Sequence, residues 1–394
     1  MYPIITLRPR KEESLLRRHP WVFSGAIGHI PSRLREGDLV NVYAADGTPL
    51  GVGYYQIGSI AVRMLSFQQD TEIGNDFWNE RLSQALQLRE RLGLLSEQNN
   101  TFRLVHGEGD QLPGLIVDYY NGIAVMQAHT VGIHRFRHAI AEALQQNLPH
   151  RLKAVYYKSE TTLPYKAQTG AKDGFIFGET DQDIATENGL QFHIDYQGGQ
   201  KTGFFADQRD NRRLLQHYAS GKRVLNMFCY TGGFSVYALA GRANLVHSVD
   251  SSTRAVDITN ANVALNFPDT TKHQAFAQDA FKFLQEQRTK DYDIVILDPP
   301  AFAKHRDALR QALRGYTRLN ETALRHMPSG SILFTFSCSQ AVSREQFRLA
   351  VFTAAAHTKR HVRILHQLTQ PADHPINIYH PEGEYLKGLV LYVE

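Results

Sequence analysis

The spacing of apolar and polar positions changes rhythm three times along the chain. From Ile4 to about Phe67, short alternating runs at 38–43, 50–55 and 60–65 are separated by Gly/Asp turns such as Ala45-Asp46-Gly47. Period-two alternation between turn residues predicts strands, and several in succession predict a small β-barrel. From Asp76 to about Leu94 the period lengthens. Phe77, Leu82, Leu86 and Leu88 recur at helical spacing, and Gly93 stands near the end. Strand patterns return over 102–105, 114–118 and 123–128, a helix is predicted over 133–146, and 154–158 is strand again. That order makes a small α+β module. From about Leu190 onward strands alternate with helices, as in a doubly wound sheet. The expected domains are a β-barrel at 1–70, an α+β module with its connecting helix at 71–188, and an α/β domain at 189–394.

The α/β region carries the chemistry. Residues 224–234, Val-Leu-Asn-Met-Phe-Cys-Tyr-Thr-Gly-Gly-Phe, read as a buried strand running into a glycine turn that opens a helix, and Asp250 closes the next strand. Such a turn cradles a nucleotide cofactor: Gly232 and Gly233 allow close backbone approach, and a strand-end carboxylate accepts ribose hydroxyls. A helix N-cap is the competing role for Asp250. Residues 294–302 form another apolar strand ending in Asp298-Pro299-Pro300-Ala301-Phe302, and 331–339 a third ending in Ser337-Cys338-Ser339. Open α/β sheets place ligands at the carboxyl ends of their strands.

Composition narrows the setting. A chain of 394 residues exceeds what one core usually organises. Only two cysteines, Cys229 and Cys338, argue against a disulfide framework and for a reducing, cytoplasmic compartment. No apolar stretch approaches a membrane span, and the amino terminus lacks a signal-peptide pattern. The net charge of +4 permits a polyanionic partner. Arg8, Arg10, Lys11, Arg17, Arg18 and His19 gather cations beside Trp21 and Phe23, which suits phosphates and stacked bases. A solvated charged face beside core aromatics would show the same pattern. The eighteen histidines show no tight metal spacing, so no metal is expected, and His374 and His380 read as structural or RNA-facing.

These motifs resemble a known family. His19-Pro-Trp-Val-Phe-Ser-Gly-Ala-Ile27 looks like the opening of a PUA domain. Lys201-Thr-Gly-Phe-Phe-Ala-Asp-Gln-Arg-Asp-Asn-Arg212, Asn226-Met-Phe-Cys-Tyr-Thr-Gly-Gly-Phe234, Asp298-Pro-Pro300, Phe336-Ser-Cys-Ser339 and Pro381-Glu-Gly-Glu-Tyr-Leu-Lys-Gly388 follow in the order found in bacterial 23S ribosomal RNA 5-methylcytosine methyltransferases of the RlmI type. The resemblance spans essentially the whole chain. It implies an amino-terminal PUA domain, a central α+β module and a Rossmann-like domain that uses S-adenosylmethionine. It also implies cofactor contacts at Phe205, Gln208, Arg209, Phe228, Tyr230, Thr231, Gly232, Gly233, Asp250 and Asp279. Asp279 has helix capping as its alternative role. Arg209 and Lys201 can serve either the cofactor carboxylate or RNA phosphate.

The residues also suggest a mechanism. Cytosine carbon 5 is a poor nucleophile, so its methylation calls for a thiolate that adds at carbon 6. Cys338, at a strand end, is the candidate nucleophile, although a cysteine is also a common small core residue. Cys229, inside the cofactor loop, reads as packing. Asp298 can hydrogen-bond N3 and the exocyclic amine as charge builds on the ring, and Phe302 can stack on the base. Arg17, Arg18, Trp21, Lys201 and Phe302 are the expected RNA contacts, the large-subunit ribosomal RNA the expected partner, and a homodimer is compatible with the sequence. Two other functions compete: a guanine-N7 methyltransferase, which needs no thiolate, and a non-catalytic RNA-binding protein, which leaves Gly232-Gly233 and Asp298-Pro299-Pro300 without a role.

Overall fold

A computed structural model describes residues 2–164, 169–287, 289–303 and 306–394. The chain forms two compact units that interleave in sequence. The first comprises residues 1–186, 194–204 and 372–383; the second comprises 187–193, 205–371 and 384–394.

The first unit holds two sheets. One has six strands in the order Trp21–Phe23, Ile60–Ser66, Pro49–Tyr55, Leu39–Tyr43, Ile4–Leu7, Ile27–His29. The other has five, in the order Gly174–Phe177, Ala154–Tyr157, Ile123–Ala128, Leu115–Tyr120, Thr101–His106. The strand Gly174–Phe177 is not among the expected elements, and the helix expected over 133–146 is two helices, Val131–Arg135 and Arg137–Asn147. The two sheets share a core in which Val52, Tyr54 and Leu65 cluster with Trp78, Leu82 and Leu115. Tyr54 also donates its hydroxyl hydrogen bond to Pro113 O at 2.7 Å. That shared core joins the barrel and the α+β module in one unit. Leu88, counted among the apolar helical positions, is 36% exposed, whereas Arg89 on the same helix is fully buried. Arg89 donates to Asp110 Oδ2 at 2.8 Å and to Asp373 O at 2.7 Å, which fastens the returning segment 372–383.

The second unit is the α/β layer. Its strands, numbered within this unit, are β1 (Arg223–Met227), β2 (Leu245–Asp250), β3 (His273–Ala277), β4 (Ile294–Leu297), β5 (Ser331–Ser337), β6 (Val362–Leu368) and β7 (Lys387–Val393). They order as β3-β2-β1-β4-β5-β7-β6. The first five are parallel, and β7 runs antiparallel to both β5 and β6. Every residue of β4 is buried, as a central parallel strand requires. The helices are α1 (Arg209–Tyr218), α2 (Gly233–Ala240), α3 (Thr253–Asn266), α4 (Ala280–Gln287), α5 (Leu309–Leu324) and α6 (Arg344–Thr358). The last three pack Phe283, Tyr316, Leu319 and Phe347 against Leu225, Val295, Leu297 and Leu333 of the sheet. Strand order reverses between β1 and β4, which opens a crevice at their carboxyl ends.

Entry into this layer is set by charge. Glu187, fully buried, accepts from Arg212 Nε at 2.8 Å and Nη2 at 2.7 Å, with Arg209 Nε at 3.7 Å. Arg212 also donates to Phe205 O at 2.9 Å, so one guanidinium holds α1 to the residues that lead into it. Neutralising this carboxylate would leave buried guanidinium charge uncompensated. Glu187→Gln is therefore expected to destabilise the α/β unit by about 3–5 kcal/mol, measured as a lower urea midpoint of its unfolding transition.

Candidate cofactor and catalytic site

The loop after β1 is built from strained backbone. Phe228 and Tyr230 take positive φ angles of 57° and 48°, and Gly232 follows at 78°. Non-glycine residues in this region cost roughly 1–3 kcal/mol each, so surrounding bonds must hold them there. Cys229 N donates to Val249 O at 3.0 Å, and Tyr230 N donates to Asp250 Oδ2 at 3.0 Å. From α3, Thr259 Oγ1 donates to Tyr230 O and Asn262 Nδ2 to Thr231 O, both at 2.8 Å. Sequence reading missed Thr259 and Asn262; their signal is two polar residues on the buried face of α3 beside Ala255, Val256 and Val263.

The glycines also have a reason within the protein. A Cβ on Gly232 would sit 2.6 Å from Thr259 Cγ2, and one on Gly233 would sit 3.0 Å from Arg212 Cδ. Side-chain packing within the protein, together with the positive φ of Gly232, already demands this pair without a ligand.

Asp250 serves the loop with both oxygens: Oδ2 accepts from Tyr230 N, and Oδ1 accepts from Ser252 N at 3.0 Å. The N-cap of α3 is Ser252, whose side chain accepts from Ala255 N, so the capping alternative for Asp250 is set aside. Each carboxylate oxygen keeps a second lone pair for a hydroxyl donor. Phe205 meets Tyr230 edge to face, with centroids 4.9 Å apart. Thr231 is buried and Phe228 packs partly into the core. Asp279 accepts from Lys282 N at 2.9 Å, which is the capping role its alternative reading gave it.

The ends of β4 and β5 form the second half. Gln208 Nε2 donates to Asp298 Oδ2 at 3.0 Å, while Gln208 Oε1 accepts from Asn211 Nδ2 at 2.6 Å. The structure thus sets Gln208, expected at the cofactor, directly on Asp298. Arg209 lies against Glu187. Cys338 is half-buried immediately beyond β5. The buried Ser339 hydroxyl accepts from Ala303 N at 3.3 Å and meets the Tyr316 hydroxyl at 2.9 Å, coupling the loops that carry Asp298 and Cys338. Phe302 leans on Tyr316, centroids 4.7 Å apart, in space that Gly315 leaves open.

Three further side chains close this region, and none had a role in the sequence reading. Lys387 donates to Ser339 O at 2.6 Å and to Tyr385 O at 2.7 Å; Tyr385 donates to Asp207 Oδ2 at 2.7 Å. Their only sequence signal is position within the runs 201–212 and 381–388. Burial lowers the Lys387 pKa to about 8. The other cysteine, Cys229, is 6% exposed, and burial, then the Asp250 charge, pushes its thiol up to about 12.

The amino-terminal residues stand in the first unit. Arg17 pairs with Glu13, and Arg18 is exposed with φ 62°. Trp21 donates to Glu108 Oε1 at 2.7 Å, the Arg63 guanidinium lies 5.7 Å from its ring centroid, and His380 packs edge-on at 4.3 Å. Trp21 is half-buried by these contacts, and Phe23, 46% exposed, is the more open aromatic beside it. His380 is buried near His19 and Glu382, where His19 Nε2 lies 3.4 Å from Glu382 Oε2. His374 is buried against Asp373. Lys201 is exposed, also with positive φ.

A parallel sheet of this order, with a glycine turn after β1 and an acid ending β2, defines a Rossmann-like enzyme that holds a ribose-bearing cofactor. Residues 102–377 match the model of the S-adenosylmethionine-dependent methyltransferases, and residues 5–67 match that of the PUA-like domain. The chain is 41% identical over 397 residues to "Ribosomal RNA large subunit methyltransferase I" of Tolumonas auensis, covering 99% of each. The protein of the same name from Erwinia tasmaniensis is 38% identical, again covering 99% of each. A Streptococcus mutans structure described as a proposed SAM-dependent methyltransferase superposes with a TM-score of 0.84 at 22% identity over 99% of both chains. The chain belongs to the S-adenosylmethionine-dependent methyltransferase family and carries an amino-terminal PUA-like domain.

Asp250 offers the sharpest test of the cofactor half. Asp250→Ala is expected to weaken S-adenosylmethionine binding by roughly 1.5–3 kcal/mol, through lost charge-assisted hydrogen bonds to ribose and a slackened Tyr230 backbone. Isothermal titration giving wild-type affinity would remove Asp250 from the site.

Proposed function

We propose that this protein methylates carbon 5 of a cytosine in large-subunit ribosomal RNA, with Cys338 as covalent nucleophile and Asp298 stabilising the base. The relatives' shared name supports the RNA class. The observation that carries the carbon-5 reading is the contrast between the two thiols. Cys338 stands half-buried at a strand end beside the Asp298 loop, while Cys229 is enclosed. The cofactor supplies the methyl group. Asp250 and the loop 228–233 hold it, with Asp279, Phe205, Gln208 and Arg209 around them.

The thiolate of Cys338 adds to carbon 6, forming an S–C bond and moving the ring's π electrons to carbon 5. Asp298 donates a proton to N3 through one carboxyl oxygen and accepts from the exocyclic amine with the other, offsetting the charge this creates. Bound S-adenosylmethionine would supply the methyl group that carbon 5 takes up. Loss of the carbon-5 proton to a base drives out the Cys338 sulfur and restores the aromatic ring. Phe302 is the stacking surface for the base. The cytoplasm is the compartment where this substrate and two cysteines outside any disulfide belong. Among the described residues, no helix is long and apolar enough to cross a membrane.

The amino-terminal PUA-like region captures RNA through the exposed Lys11, Arg17, Arg18 and Phe23, with Lys201 as a further contact. Lys11→Glu/Arg18→Glu should weaken RNA binding and flatten the slope of log K against log salt by about 0.7 for each single-strand phosphate no longer neutralised. A filter-binding slope equal to wild type would detach these residues from the RNA.

Cys338→Ala is expected to abolish methyl transfer while keeping cofactor affinity, and Cys229→Ala to keep substantial activity. RNA with 5-fluorocytosine at the target cannot lose its carbon-5 substituent as a proton, so wild type should accumulate an adduct. Denaturing electrophoresis reads it out. Methylation by Cys338→Ala without adduct formation would overturn the assignment in favour of guanine-N7 transfer; an adduct formed through Cys229 would overturn Cys338 as the nucleophile; no methylation by wild type would favour a non-catalytic RNA-binding protein.

A further inference from the structure

Lys387 brackets Cys338. Its backbone pairs with Ser337, the residue before the cysteine, and its ammonium donates to the carbonyl of Ser339, the residue after it. It is 3% exposed, and both of its hydrogen-bonded acceptors are neutral carbonyls, of Ser339 and Tyr385. Those two bonds fix the nitrogen and use two of its three donors. A buried ammonium held this way needs an anion, because burial alone favours the neutral amine. Among the described residues, the charged groups acting on it include Cys338, Glu384 and Arg344, with the Tyr316 phenol on the far side of Ser339 and Cys338. Glu384 is paired with Arg344, so Cys338 is the remaining acid in this set.

We propose that Lys387 is a positioning residue whose ammonium holds Cys338 as the thiolate between turnovers. This rests on the reading of Cys338 as nucleophile. The cysteine S–H proton goes to solvent, and the resulting thiolate and ammonium form a fixed ion pair. When sulfur bonds carbon 6, the negative charge passes to the base; when that bond breaks, the charge returns to sulfur beside Lys387. Tyr385 and Asp207 support the same strand end, since Tyr385 carries one carbonyl that anchors the ammonium and its hydroxyl is held by Asp207.

The sign follows from which form the cation favours. The ammonium lowers the thiol pKa, so Cys338 should be reactive below the ordinary thiol value of about 8.5. Deprotonation of Lys387 at higher pH removes that advantage. In the Cys229→Ala protein, Cys338 is expected to titrate by thiolate absorbance and to be alkylated by iodoacetamide with a midpoint below about 8.5. Lys387→Met should raise that midpoint by at least about one unit, a tenfold loss of thiolate on the acid side, and move the acid limb of kcat/KM for RNA methylation by the same amount. Lys387→Arg, which keeps the charge, should restore most of the shift. A midpoint at or above about 8.5 in the Lys387-containing protein overturns the proposal even where the Met variant fails to fold. An unshifted alkylation profile in folded Lys387→Met overturns it as well, and leaves the lysine a structural strut. Failure of the nucleophile itself looks different: the enzyme with Lys387 intact then forms no Cys338 adduct with 5-fluorocytosine RNA, whatever the thiol titration shows.

Discussion

One buried carboxylate fixes the floor of the site. Glu187 has no solvent contact and satisfies the Arg212 fork, whose remaining nitrogen reaches Phe205 O. That bond sets the conformation of the short turn Ala206–Gln208. From that turn, Asp207 anchors Tyr385 and Gln208 anchors Asp298. Two strand ends that are far apart in sequence, those of β4 and β7, are thereby referred to one turn. Arg212 also lies close enough to Gly233 that a Cβ there would touch it, so the same guanidinium fixes the start of α2. An ion pair so buried contributes little net stability, and its value lies in geometry, because breaking it strands a charge.

The loop after β1 shows how such geometry is held. Two residues with side chains occupy left-handed backbone, and the strain is offset by bonds from β2 and α3 rather than by glycine at each position. Asp250 is both a partner of that backbone and a candidate ligand for ribose, so cofactor affinity and loop conformation are linked in one side chain. Part of the binding free energy is thus invested before the ligand arrives, which is the advantage of preorganisation.

Much of this was legible in the sequence. Apolar runs located β1, β2, β4 and β5 of the α/β unit but not β6 or β7, and the strand-end residues Asp250, Asp298 and Cys338 stand where the pattern put them. The partition of the first half was less legible. Alternation reports which face of a strand is apolar, not what covers it, and the barrel's Tyr54 and Leu65 are covered by the helix and sheet that follow. Trp21 reads as open because composition cannot show Arg63 and His380 folding over it. Phe136, between two helices, interrupts a helical period that apolar spacing alone continues. The bond of Gln208, assigned to the cofactor, to Asp298 and any role for Lys387 escaped sequence reading for the same reason: each acts across a long sequence separation, on Asp298 and Ser339, and a polar residue in a motif does not declare its partner.

The two cysteines illustrate what separates a reactive thiol from a packed one. Both follow apolar strands at the same end of the same sheet. Cys229 turns inward, 3.7 Å from Thr259 Oγ1, with a carboxylate nearby and burial against ionisation. Every neighbour favours its protonated form except that single hydroxyl bond and its own amide. Cys338 sits between two buried serines, and the Lys387 ammonium donates to the carbonyl of the second. Chemical identity is equal in the two cases, so a difference in reactivity would follow from the charges nearby and from access to solvent. On the proposed reading, a methyltransferase acting on a poor carbon nucleophile needs one thiol open to its substrate and one kept silent beside its cofactor, and the half-buried Cys338 and the buried Cys229 are the two strand-end thiols that reading assigns to these roles.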